Sequence, residues 1–180
     1  GITTPIHTRF EILLDTGRTS SSGPNVQNIR RAKGARECFI PRPGWVYVDC
    51  DYSGAELHTL AQVCVTLFGR SCLGDALNAG VDPHAAFGAK LAGTTYEDLK
   101  ERIAAGDKEA KEWRQRAKAF NFGAPGGMGA AGLRRYAKSS YGVVLSQAQA
   151  EGFYAEWKTQ WPTIQTYLQW IRELTSAEGH

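Results

Sequence analysis

Arg114, Lys118 and Phe122 stand at i, i+4 and i+8 in a stretch without a helix breaker from Asp107 to Phe122, so a helix there lines them along one face. At 1.5 Å per residue they span roughly 12 Å, about the length of a triphosphate with part of its nucleoside. Two cations followed by a ring can hold phosphate oxygens at one end and stack on a base or sugar at the other. Arg supplies a planar fork and Lys a mobile point charge. The same spacing also suits a solvated basic face whose Phe122 turns into the core. A second chemical position is Asp51, which closes the run Trp45-Val-Tyr-Val-Asp-Cys-Asp51 behind Pro43-Gly44. Aromatic and β-branched residues after a Pro-Gly turn predict a strand. A carboxylate at the end of a buried strand is held rigidly at the sheet edge. That place suits Mg²⁺, which takes few protein carboxylates and keeps waters or phosphate oxygens. Capping of the following helix by Asp51 or Ser53 is the simpler alternative.

Other chemistries have less support. Gly127-Met-Gly-Ala-Ala-Gly132 matches G-x-G-x-x-G, but a dinucleotide site needs a strand before it and an acidic strand-end residue about twenty positions later. Here a predicted helix precedes it, and Glu151 falls on another. The glycines are read instead as a sharp turn with close packing. His58 and His84 have no obvious Ser or Cys partner for nucleophilic catalysis. The cysteines Cys38, Cys50, Cys64 and Cys72 form no CxxC pair, which argues against structural zinc.

The elements that must position these residues are mostly helices. Residues 1–36 read mainly as loop. Leu57, Leu60, Ala61, Cys64 and Leu67 predict a helix over about 54–68. Asp82-Pro83 starts a short helix to about Leu91. Thr94 and Glu97 form a capping box for a helix that Gly106 ends. The long helix over 107–122 follows, then one over 129–140. Ser146 and Gln149 cap a final stretch that Pro162 breaks or kinks near its middle. The expected fold class is α+β, mostly helical with few strands.

The 180 residues are 42% apolar and 22% charged, an ordinary balance for a chain with a packed core. The net charge of +3 is small, but residues 1–45 carry seven basic and three acidic side chains, a balance of +4. A basic stretch interleaved with Ser, Asn and Gln suits phosphate contact or a solvated surface. No signal peptide or run of roughly 20 apolar residues occurs, so no membrane partner and a reducing cytoplasmic compartment are expected.

Four segments, in order, resemble family A (DNA polymerase I-like) DNA polymerases. Thr16-Gly-Arg-Thr-Ser-Ser-Ser-Gly-Pro-Asn-Val-Gln-Asn-Ile29 resembles a TGR-x-SSS-x-PN-x-QNI segment. Asp51-Tyr-Ser-Gly-Ala-Glu-Leu57 resembles palm motif A, DYS-x-x-EL. Asp82-Pro-His84 resembles the D-x-H after it. Arg114-Gln-Arg-Ala-Lys-Ala-Phe-Asn-Phe-Gly123 resembles fingers motif B, R-x-x-x-K-x-x-x-F-G. The Gly-Ala-Pro-Gly-Gly127 ending looks more like bacteriophage polymerases. The resemblance implies a partial palm over 1–92 and helical fingers over 93–180. It implies DNA-templated transfer of a dNTP to a primer 3′-hydroxyl, with two Mg²⁺ ions about 4 Å apart. Asp51 and the Tyr52 carbonyl would hold metal. Lys118, Arg114 and His84 would contact the triphosphate, Glu56 would exclude a ribose 2′-hydroxyl, and Phe122 would pack on the incoming sugar and base. Arg18, Asn25, Gln27 and Asn28 would contact the primer–template. The setting would be the cytoplasm of a bacterial or phage-infected cell.

Three departures from the pattern stand out. Gly126 occupies the place of a Tyr that shapes the base-pair pocket, and His58 replaces an Arg. No HDE-like motif C, which supplies a second metal-binding aspartate, occurs before His180. Two dications on one carboxylate repel with little compensation, so this chain alone is expected not to polymerise. A second polypeptide would supply the rest of the palm, or the sequence is a fragment. The alternative is a non-catalytic nucleotide- or DNA-binding module. A single-subunit RNA polymerase shares the motif logic, but Glu56 and the TGR–QNI segment argue against it.

Overall fold

The computed structural model describes residues 4–14, 17–29 and 33–177. They form two compact units, Gly1–Asp51 and Tyr52–His180. The expected α+β, mostly helical class is what the chain adopts.

In the first unit, β1 (Arg9–Glu11) pairs antiparallel with β2 (Ser20–Ser22), with Arg9 opposite Ser22 and Glu11 opposite Ser20. The hairpin was not expected, although the described part of residues 1–36 is otherwise loop, as the sequence suggests. The two strands are three residues each, too short to show a period, and Ser-Ser-Ser has turn chemistry. The turn after β2 builds itself from side chains. Asn25 Oδ1 accepts from Ser21 Oγ and from the backbone N–H groups of Gln27 and Asn28, an Asx-turn.

The predicted strand over residues 45–51 is not formed. Trp45, Val46, Tyr47 and Val48 are 67–81% exposed, and the segment is irregular. A strand exists only where a neighbour takes its backbone N–H and C=O groups. Among the described residues none lies alongside. Trp45 N–H closes a turn onto Arg42 O, and Tyr47 Oη donates to Ile40 O. Asp51 is therefore an exposed residue after an irregular segment, not the end of a buried strand.

The second unit is a helical assembly: α1 (Ala55–Phe68), α2 (Cys72–Asn78), α3 (Pro83–Ala92), α4 (Tyr96–Ala104), α5 (Lys108–Gly123), α6 (Ala130–Tyr141), α7 (Gln147–Gln160) and α8 (Pro162–Ala177). A 3-10 turn, Ala124–Gly126, joins α5 to the loop before α6. Neither Asp51 nor Ser53 caps α1: Gly54 does, at φ 65, with no side-chain cap. Glycine reaches that left-handed conformation without steric cost. The cap of α4 falls one residue later than expected, on Thr95, whose Oγ1 accepts from Asp98 N–H. The Ser146–Gln149 capping box is present, and the chain breaks at Trp161–Pro162 as Pro requires. Helix α2 was not expected. Ser71 caps it by accepting from Gly74 N–H.

Leu57, Leu73, Phe87, Phe120, Leu133, Trp157, Trp161 and Ile164 form one buried cluster that joins α1, α2, α3 and α5 through α8. Helices α3 and α5 pack most extensively. They approach closely at Gly88, where an added Cβ would stand 3.2 Å from the Arg114 backbone. The subdomain boundary expected near residue 92 falls inside this unit, between helices that pack together.

Candidate functional site

The α3–α5 contact builds the site. Asp82 caps α3, its Oδ1 accepting from the His84 and Ala85 N–H groups at 2.8 and 3.3 Å. Its other oxygen, Oδ2, accepts from Arg114 Nε at 2.7 Å. One carboxylate therefore fixes the start of α3 and aims the Arg114 side chain. Burial works to raise the Asp82 carboxyl, but the Arg114 hydrogen bond and charge, with the two backbone donors, outweigh it and hold the acid below its ordinary value. Asp82 offsets part of the positive field of Arg114, which keeps its full charge. Its η nitrogens, however, form no ion pair or hydrogen bond with a described residue, so its outer fork is open to an anion.

Lys118 lies one turn further along α5, half-buried, with Nζ 5.9 Å from the Phe122 ring centre. It makes no ion pair with a described residue. Arg116 on the same helix differs: it stacks on Trp113 at 4.3 Å and pairs with Glu112. Phe122 is half-buried at the core edge, and its ring is tilted against His84 at 5.1 Å. The structure thus brings His84, Arg114, Lys118 and Phe122 together. Neither sequence-level alternative holds alone, because Phe122 packs on the core while still adjoining Lys118.

His84 is 7% exposed. Burial lowers its imidazole to a pKa of about 4; the nearby Asp82 charge opposes that shift, and the Arg114 and Lys118 charges add to it. At neutral pH the ring is uncharged, and the group of Asp82, Arg114, Lys118 and His84 carries one positive charge in excess.

The remaining candidates lie elsewhere. Tyr52 is 87% exposed just before α1. Glu56 is exposed in the first turn of α1. Burial, then the Tyr136 hydroxyl, then the charge of Glu56 push the Tyr141 phenol up, so Glu56 adjoins the end of α6. His58 Nδ1 donates to Gly54 O at 2.9 Å and so tightens the first turn of α1. In the first unit, Asn25 spends its side-chain oxygen on the turn and Gln27 Nε2 donates to Thr19 Oγ1. Arg18 and Asn28 are exposed. Asp51 closes that unit, and no described residue pairs with it. No group of three or more His, Cys, Asp or Glu side chains converges among the described residues. An exposed, unpaired carboxylate still fits the partial donor set that Mg²⁺ accepts when phosphate and water complete the shell.

Two residues of the site escaped sequence reasoning. The Asp82–Arg114 pair joins positions 32 apart, and only the capping role of Asp82 had a local signal. Asn121 is 2% exposed and bonds to His84. Its signal was a polar residue at the i+4 position of the buried stripe Ala117, Phe120, Asn121 and Ala124. A groove of about 780 Å³ lies elsewhere, between α1, α2 and α8, lined by Ala61, Gln62, Thr66, Leu77, Tyr167 and Trp170. Its walls carry no charged side chain of the kind found on α5.

The POL domain of Pol1 from M. smegmatis, in complex with DNA primer-template and dNTP, superposes with a TM-score of 0.69 at 23% identity, over 97% of this chain and 28% of that one. The family model of DNA polymerase family A matches residues 2–180, and the chain belongs to that family. Among relatives, the DNA polymerase I of Pseudomonas aeruginosa is 33% identical over 97% of this chain and 17% of its own length. That of Aquifex aeolicus is 32% identical over 92% of this chain and 27% of its own. That of Rhizobium leguminosarum is 31% identical over 97% of this chain and 16% of its own. The chain therefore spans well under a third of each of these relatives. No helix among the described residues is long and apolar enough to cross a membrane.

Proposed function

We propose that this chain serves DNA-templated DNA synthesis by gripping the triphosphate of an incoming dNTP on the α3–α5 face. The observation that carries this is the convergence of Arg114, Lys118, His84 and Phe122 on two tightly packed helices. Lys118 and the outer nitrogens of Arg114 neutralise phosphate oxygens. His84 donates one uncharged hydrogen bond, and Phe122 offers a ring edge to the sugar and base. Glu56 acts as the gate against a ribose 2′-hydroxyl. Arg18, Asn25, Gln27 and Asn28 form the primer–template contact. For Asn25 and Gln27 this contact runs through the turn they shape.

In this reading Asp51 and the Tyr52 carbonyl hold Mg²⁺, which supplies charge neutralisation and a Lewis acid for nucleotidyl transfer. The subdomain assignment, palm before residue 92 and fingers after it, and the cytoplasmic setting belong to the same proposal.

Calorimetric titration of the chain with Mg²⁺·dNTP tests it. Lys118→Ala is expected to weaken binding by about 1.5–3 kcal/mol, the range of a charged hydrogen bond. Asp51→Asn is expected to remove the Mg²⁺ dependence. Unchanged dNTP affinity in Lys118→Ala would reduce the face to solvated surface. DNA binding indifferent to both Mg²⁺ and Asp51 would favour a non-catalytic binding module.

A further inference from the structure

Asn121, on α5, sits where that helix meets α3, α7 and the α7–α8 junction, with every polar atom of its side chain occupied. Its Oδ1 receives the indole N–H of Trp157 at 3.0 Å and of Trp161 at 3.1 Å. Its Nδ2 faces Pro83 O at 3.0 Å and His84 Nδ1 at 3.1 Å. An amide has two acceptor sites and two donors, and all four are used.

The orientation of this amide is dictated by its neighbours. An indole nitrogen can only donate, so the atom between Trp157 and Trp161 must be the oxygen. The nitrogen then points at His84 and donates to Nδ1. Nδ1 must carry a lone pair, and the ring proton of the neutral imidazole must sit on Nε2. Protonating Nδ1 would set two N–H groups against each other. Nε2 has no hydrogen-bond partner among the described residues, and Gln165 Nε2 is the one buried side-chain atom left without one. The His84 Nε2–H is therefore not sealed from solvent, although the residue as a whole is only 7% exposed. The charged groups around the ring are Asp82 at the head of its own helix and Arg114 and Lys118 on α5. From α7 and its C-cap, Trp161, the amide receives only neutral indoles.

We propose that Asn121 is the positioning residue that holds His84 as a neutral Nε2–H donor, turned toward the triphosphate that Arg114 and Lys118 bind. This rests on reading that face as a triphosphate site. Asn121 itself touches no ligand. It fixes which imidazole nitrogen donates, and it couples that choice to the α7–α8 junction through the two indoles.

The test is a long-range ¹H–¹⁵N spectrum of the full chain with labelled histidine, with His84 assigned by its loss in His84→Gln. His58 supplies an internal contrast, because its Nδ1 must be the donor to Gly54 O. The wild-type His84 signals are expected to be those of the Nε2–H form, with no titration above about pH 5.5. Asn121→Asp keeps the shape but cannot donate. Its carboxylate is expected to draw a proton onto His84 Nδ1 and bring the ring's titration into the range of about pH 6–8. Affinity for Mg²⁺·tripolyphosphate should then change severalfold across that range in Asn121→Asp and stay flat in the wild type. An Nδ1–H form in the wild type, or an unchanged His84 spectrum in folded Asn121→Asp, would overturn the proposal. If Asn121→Asp does not fold, the wild-type spectrum decides alone: Nε2–H supports it and Nδ1–H ends it. Adding Mg²⁺·tripolyphosphate to the wild type separates the two levels. An Nε2–H signal that does not move overturns the triphosphate as the donor's target, while the tautomer assignment stands.

Discussion

Residues 4–51 and residues 52–177 solve the same problem with opposite success. In the first unit Phe10, Ile12, Leu13, Trp45, Val46 and Val48 are all more than half exposed, and the one buried side chain among its described residues is Ser21. In the second, Trp157, Phe87, Phe120 and Leu133 are sealed from solvent. The difference lies in where each segment finds its hydrogen bonds. A helix satisfies its own backbone, so each helix of the second unit is free to offer one apolar face to the others. An extended apolar segment such as 45–48 has no internal partners and can be buried only beside another strand. The lesson is that the chemistry best defined in this chain is the part carried by helices.

The largest expected effect sharpens that contrast directly. Trp157→Ala should destabilise the chain by about 3–5 kcal/mol, because it empties a sealed site. Trp45→Ala should change stability by less than about 0.5 kcal/mol. Thermal unfolding followed by circular dichroism reads both, and a comparable loss for Trp45→Ala would break the comparison.

Acidification should act on the second unit through His84. Its folded pKa is about 4 against an ordinary 6.5, so the unfolded chain binds the proton first. Stability is then full above about pH 6.5, falls as pH drops toward 4 and is flat below for this group, a loss of up to about 3 kcal/mol. Asp82, held low, contributes stability that is lost only as pH falls through its lowered value. Urea unfolding of wild type and His84→Gln at several pH values checks this. The slope between about pH 6.5 and 4 should be shallower in the variant.

What the sequence made legible follows the same division. Seven of the eight helices were placed by spacing and caps, because the Ser146–Gln149 box, Asp82-Pro83 and Pro162 act locally. Helix α2 was hidden: its seven residues include Gly74, and so short a segment shows little period. The strand expected over 45–51 failed because periodicity reports what a segment could pair with, not whether a partner lies beside it. The cationic face was visible as spacing on α5. The Asp82–Arg114 pair and the four bonds of Asn121 were not, since they depend on a helix crossing set by Gly88.

That crossing gives a smaller effect. Gly88→Ala should cost about 1–3 kcal/mol and move Arg114 away from Asp82, because the new Cβ meets backbone that cannot turn aside. Gly126→Ala is the counterpart. No atom lies within 4 Å of its added Cβ, and the substitution should stabilise by about 0.4–1 kcal/mol by restricting the unfolded chain. Differential scanning calorimetry of the two variants reads opposite shifts in Tm. Equal destabilisation would mean that the 3-10 turn after α5 is as tightly packed as the α3–α5 crossing.

The central claim is that the triphosphate of a nucleotide binds where α3 meets α5. Chemical-shift mapping of the labelled chain with Mg²⁺·dNTP tests it most directly. The account predicts the largest shifts at His84, Arg114, Lys118 and Phe122, with the Arg116 signals little changed. Shifts confined to the groove between α1, α2 and α8, around Thr66, Leu77 and Trp170, would contradict it.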